Sequence, residues 1–186
     1  GDQTLTVNSK ASAAQQILSI YALRGEFARN VTEIRGTTDD NRKTEDTWTG
    51  EFAAKFSKLA NFAFKLQEKD TTEDHEDPTK NRTSGSSTRN ATWAGDLAVF
   101  WKASASWDLT DTYDMGKKIT GETKYSLKTT FLFKAINLAL DPTYDVTLKD
   151  DLVKAEESEI RDFRFRFAYL LVGTRTMEAK LDHTYG

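Results

Sequence analysis

The stretch Leu97-Ala98-Val99-Phe100-Trp101-Lys102-Ala103-Ser104-Ala105-Ser106-Trp107-Asp108-Leu109 decides how this chain is read. Its odd positions, Leu97, Val99, Trp101, Ala103, Ala105, Trp107 and Leu109, are all apolar. Between them stand Lys102, Ser104, Ser106 and Asp108, with Ala98 and Phe100 as apolar exceptions. Neighbouring side chains of a strand point to opposite faces, so this period of two predicts a strand with one apolar side. A helix would scatter the same residues around its circumference.

The pattern recurs outward from there. Phe163, Phe165, Phe167, Tyr169 and Leu171 alternate with Asp162, Arg164, Arg166, Ala168 and Leu170. Tyr125, Leu127, Thr129, Phe131, Phe133 and Ala135 share one parity, with Ser126, Lys128, Thr130 and Lys134 opposite. A fourth run, Phe52, Ala54, Phe56, Ala60, Phe62, Phe64 and Leu66, is interrupted by Lys58, where a turn is expected. Helical spacing fits this run too, and strand is the reading adopted. The segment from Ala11 to Arg29 matches helix and strand templates equally well. For hairpins within 48–68 and 160–182, Asn61 and Gly173 are the plausible punctuation.

Polar segments separate the runs. Gly36–Thr47, Thr110–Gly121 and Lys149–Ser158 read as loops, and 69–90 reads as a long polar loop carrying Asp77-Pro78 and Ser84-Gly85. Asp141-Pro142 marks a further break. The stretch Thr47-Trp48-Thr49-Gly50-Glu51-Phe52-Ala53 resembles Thr92-Trp93-Ala94-Gly95-Asp96-Leu97-Ala98. That repeat predicts Trp48 and Trp93 at one level, as interfacial aromatic anchors are.

Composition narrows the function. The 186 residues include no cysteine, which removes disulfide scaffolds, thiolate metal sites and cysteine nucleophiles. The 26 basic and 29 acidic residues are interspersed, so no basic face for nucleic acid is expected. No apolar run reaches the length of a transmembrane helix. No phosphate-binding glycine loop, nucleophile elbow or zinc-helix motif occurs. His75 sits among Glu73, Asp74, Glu76 and Asp77, but without the alternating oxygen ligands and glycine of a calcium loop. Those carboxylates, and the pairs Asp39-Asp40 and Asp150-Asp151, read as solvated surface charge. No catalytic, metal or cofactor-binding residue is nominated, and the chain is expected not to be an enzyme.

The sequence therefore predicts a single all-β domain over 1–186, built from long antiparallel amphipathic strands. A closed barrel of about 8–10 strands is favoured over a β-sandwich. The expected role is that of a small outer-membrane-type barrel, structural, adhesive or narrow-channel in character, with membrane lipid as its partner. Trp101, Trp107, Phe131, Phe133, Phe163, Phe165 and Phe167 are the candidate lipid-facing or core aromatics, and Trp48 and Trp93 the interface aromatics. Lys128, Lys134, Arg164 and Arg166 are expected on the inner face. The alternative is a secreted or periplasmic soluble sandwich that binds a ligand or self-associates into a larger structure.

Overall fold

The computed structural model describes residues 3–35, 40–57, 60–170 and 176–185, and the side chains of all these except 170 and 176–178. Ten strands follow one another: β1 (Gln3–Ile17), β2 (Tyr21–Arg35), β3 (Asn41–Ser57), β4 (Ala60–His75), β5 (Arg82–Ala98), β6 (Trp101–Asp114), β7 (Lys117–Phe133), β8 (Leu138–Asp151), β9 (Glu156–Leu170) and β10 (Thr176–Tyr185). They form one sheet in chain order, each strand antiparallel to the next. β1 pairs with β2 and β10 with β9, and the sheet is open between β1 and β10.

Local chemistry explains the connections. Met115 (φ 49°) and Gly116 (φ 74°) form a two-residue hairpin with both φ angles positive, the geometry whose twist matches the flanking strands. Between β4 and β5 a short 3-10 turn, Pro78–Lys80, starts where the Asp77 carboxylate accepts from the Thr79 backbone N–H at 3.0 Å. Pro142 lies inside β8, where a missing N–H should break a ladder. The β7–β8 register passes from Lys128↔Thr143 to Phe131↔Leu140, so Pro142 sits at a gap in that ladder while still facing Phe165 of β9.

Several expectations are corrected. The segment 69–90 is no long loop: β4 continues to His75 and β5 begins at Arg82. Its Thr, Asp and Lys residues alternate on a sheet polar on both sides, so they carry no period-two hydrophobic signal. For the same reason the other polar segments are mostly strand ends. Leu97–Leu109 is not one strand, because Val99 and Phe100 form the turn between β5 and β6. Asn61 belongs to β4, and Lys134 to a 3-10 turn (Lys134–Ile136) rather than to an inner face. Gly173 and Lys58 lie outside the described residues. The ambiguous N-terminal run is β1, a turn and β2.

No core exists in the usual sense. Among the described residues only Ala54, Ser87, Gly95, Asp111 and Gly121 are buried. The accessible surface is 13129 Å², against about 9,000 Å² expected for a compact monomer of this mass. Every substantial contact between strands joins sequence neighbours, so no second sheet packs against the first.

The outline of the sheet is oblique. The first hairpin closes at Ile17↔Tyr21, in the row of directly opposed residues that runs through Ala54, Phe62, Trp93, Ala105, Leu127 and Tyr144 to Phe163. On β9 the strand continues past Phe163 for about seven more residues, to Leu170. The opposite rim slopes the same way. The row of Asp151, where β8 meets β9, passes through Thr120, Thr112, Ser86 and Lys69 to Thr47, and β3 extends about six residues beyond it to Asn41. A slip of roughly one residue per strand, at ~3.3 Å rise and ~4.8 Å strand spacing, corresponds to a strand tilt of roughly 30°.

The β6–β7 turn gives a direct test. Gly116→Val is expected to lower stability in detergent micelles by about 1 kcal/mol, because its φ is positive. Gly25→Ala, in open space on a strand, should be neutral or slightly stabilising. Equal urea midpoints for the two variants would show that the turn geometry is not the one described.

Candidate membrane-facing surface

Directly opposed residues of an antiparallel sheet point to the same side, so the register sorts every side chain onto one of two faces. One face carries Leu23, Phe52, Phe64, Ala91, Trp107, Tyr125 and Val146 in a single row. Two residues further along, the row Tyr21, Ala54, Phe62, Trp93, Ala105, Leu127, Tyr144 and Phe163 lies on the same face. Beyond that, Trp101, Phe131, Leu140 and Phe167 form another. These rows make a continuous apolar belt.

All seven candidate aromatics lie in this belt: Trp101, Trp107, Phe131, Phe133, Phe163, Phe165 and Phe167. Neighbouring rings pack edgewise along the sheet, with Trp101 and Phe131 stacked at 5.6 Å and Tyr21 and Phe52 at 6.1 Å between centroids. Nothing covers them from above. Leu127 is 52% exposed, Tyr125 48% and Phe62 45%, values foreign to a soluble core. The structure also adds Tyr21, Leu23, Phe27, Phe62 and Phe64 to the belt. Phe62 and Phe64 belong to the alternating run from Phe52, which helical spacing also fits, and Tyr21, Leu23 and Phe27 to the segment Ala11–Arg29, which matches helix and strand templates equally well.

Trp48 and Trp93 share this face but not a level. Trp48 is opposite Phe27 and Glu68, three rows above the row of Trp93. The repeat misleads because β3 runs nine residues past Trp48 before its turn, and β5 only five past Trp93. Trp48 packs on Phe27 at 4.2 Å and stands at the polar border of the belt. Immediately beyond it, Arg29 chelates Asp46 with two hydrogen bonds of 2.7 and 2.6 Å. Across the sheet the border lies lower toward β9, from Glu68 through Arg89 and Thr123 to Arg161 next to Phe163, while Leu109 on β6 and Leu148 on β8 keep the face apolar at the level of Arg89 and Thr123.

The other face is mostly polar or small. Level with the belt it carries a row of small residues, Ala22, Ala53, Ala63, Thr92, Ser106 and Ser126. Charged rows flank it. On one side Lys65 meets Glu51 at 3.1 Å, and Asn90 donates to the Asp108 carboxylate. Nearby, Glu122 receives Lys124 at 2.5 Å and Lys149 at 3.0 Å. On the other side Lys128, Thr143 and Arg164 stand in one row, and Arg164 pairs with Asp145. Thus Lys128, Arg164 and Arg166 share the polar face as expected. Glu73 and Asp74 point to opposite sides of β4, which disperses the acidic cluster around His75. Among the described residues no three His, Asp or Glu side chains converge as a metal-binding group.

Beyond the belt both faces are polar. There the Arg82 guanidinium donates twice to Asp114, each at 3.0 Å, and holds that carboxyl below its ordinary value. Arg29 does the same for Asp46.

With these surfaces defined, comparison with known proteins adds no relative: no family model matches the chain, and neither a curated protein nor a solved structure is similar to it.

A carboxylate whose folded pKa is depressed contributes stability above its unfolded pKa and loses it as pH falls through the folded one. Arg82→Gln should therefore raise the Asp114 pKa back toward its ordinary carboxylate value and move the acid limb of unfolding to higher pH. Carboxyl carbon NMR titration in micelles reads the first effect. An Asp114 titration identical in the variant would mean that the pair does not form in solution.

Proposed function

We propose that this chain is a membrane-spanning β-barrel wall of the outer-membrane type, with a structural, adhesive or narrow-channel role and no catalysis. The observation that carries the proposal is the belt. On β6 it runs from Leu109 to Trp101, about 26 Å along the strand and roughly 23 Å once tilted, close to the ~25 Å apolar band of such barrels. It slopes in the same sense as both rims, so tilting the strands by one angle levels all three features at once. The uncovered aromatics then face lipid, and the small and ion-paired residues face a hydrated interior. The polar ends of β2 to β5 stand clear of the membrane, where they present the surface for any adhesive contact.

Lipid leaves no unpaired backbone unpenalised, so the edges of β1 and β10 require partners. Carrying the slope once around brings β10 beside β1 with an even offset of about eight to twelve residues, which keeps the two faces in phase. The ten residues of β10 then fall within the fifteen of β1. Leu181 comes opposite Val7, Ser9 or Ala11.

Two measurements test this reading. In phosphatidylcholine vesicles, Leu127→Arg should destabilise by roughly 2–4 kcal/mol near the midplane, whereas Ser126→Arg on the polar face should be tolerated. A monodisperse, cooperatively folded β protein in plain buffer would overturn the membrane reading. For the seam, Leu181→Cys combined with Val7→Cys, Ser9→Cys or Ala11→Cys should give a disulfide within one chain. Cross-links only between chains, or with Asn8→Cys and Lys10→Cys instead, would refute the closure.

A further inference from the structure

The turns at the apolar end of the sheet carry side chains that a water-facing rim does not need. Leu18 is 78% exposed and Val99 92%, and Ile20, Phe100 and Ile136 are also exposed. These are not isolated greasy tips. Leu18 and Ile20 lie between Ile17 and Tyr21, Val99 and Phe100 between Leu97 and Trp101, and Ile136 between Phe133 and Leu138, all continuous with the belt. Phe100 stacks on Phe133 at 5.8 Å, so the turn itself is drawn onto the apolar face and Val99 is left at the tip.

The opposite rim shows that continuity, not exposure alone, sets this rim apart. Met115, Leu152 and Val153 are also exposed there, but Asp114 and Lys117 flank the first, and Asp150, Asp151, Lys154, Glu156 and Glu157 separate the others from the belt. Leu18 adds a second observation. It sits at φ 53°, a left-handed position that favours Gly or Asn.

Resting on the membrane reading, we infer that the apolar rim carrying Leu18, Val99 and Ile136 is itself a lipid-binding surface, its hairpin tips ending in the headgroup–acyl boundary of a phospholipid leaflet rather than in water. From Ala91 to Val99 the chain covers about 26 Å, roughly 23 Å once tilted, so the tips come up to the far edge of an apolar band of ~25 Å without passing it. Lys134, in the last of these turns, then lies at headgroup depth, where a lysine extends its ammonium to water while its stem stays in lipid. Every contact with a soluble partner is left to the opposite, polar rim.

The chain has no native cysteine, so single labels are unambiguous. Val99→Cys, Leu127→Cys and Thr79→Cys would each carry an NBD fluorophore in phosphatidylcholine vesicles formed with iodide on both sides. The expected result is nitroxide-lipid quenching at positions 99 and 127, with iodide quenching several-fold weaker than at 79. Iodide access at 99 equal to that at 79, with 127 still lipid-quenched, would overturn the inference and leave the wall reading intact. Iodide access at 127 as well would overturn both.

Discussion

The antiparallel backbone ladder carries this structure, because almost nothing else in it is dry. Fixing a residue costs roughly 1–2 kcal/mol of conformational entropy, and a globular domain offsets that by burying side chains in a shared interior. Here the interior is missing. Ten strands of ten to seventeen residues make a single layer in which, among the described residues, only Ala54 of the large or small apolar side chains is buried. Such a layer leaves its apolar face without a partner, and the favourable term must come from whatever covers that face. The uncovered surface is large, contiguous and confined to one side, which distinguishes it from the scattered apolar exposure of ordinary soluble proteins.

The two faces divide the energetics. On the apolar face, ring-to-ring contacts between neighbouring strands orient the aromatics without removing them from their surroundings. On the polar face, the charged residues come as pairs: Lys65 with Glu51, Arg164 with Asp145, Lys124 and Lys149 around Glu122. In open water such exposed pairs contribute little. In the proposed barrel, with a narrow hydrated lumen and low-dielectric walls, the same pairs would lock neighbouring strands in register, because a slip of one residue would turn every charge toward lipid. The row of Ala22, Ala53, Ala63, Thr92, Ser106 and Ser126 leaves room between the charged rows for water.

Much of this was legible in the sequence, and the legible part has a physical signature. Where one face is apolar and the other polar, as from Trp101 to Leu109 or from Phe163 to Phe167, the period of two is visible and the strand is found. Where both faces meet water, as in Thr71-Thr72 or Arg82 to Ser87, alternation vanishes although the backbone ladder continues. Those segments read as loops, and the strands came out about half their true length. Turns were harder still. Val99-Phe100 carries none of the Gly, Asn or Pro that usually marks a hairpin, and Met115-Gly116 was hidden inside a segment read as a loop. Register, and with it the different levels of Trp48 and Trp93, depends on pairing across strands that no local pattern encodes.

The slope of the sheet ties these observations together. A flat sheet in water has no reason to shear its hairpins and its apolar border by the same amount, since each strand could end wherever its own sequence allowed. A sheet that surrounds an axis does have a reason. Its strands must tilt for closure, and a bilayer of fixed thickness then cuts each strand at a residue number that advances steadily from one strand to the next. On the proposed reading, the passage of the border from Trp48 on β3 to Phe163 on β9 would be that advance written in side chains, and the passage of the turns from Ile17–Tyr21 to the end of β9 the same advance written in backbone. Two independent records of one tilt, one chemical and one geometric, are difficult to reconcile with a sheet whose apolar face is covered by anything other than a layer of uniform depth.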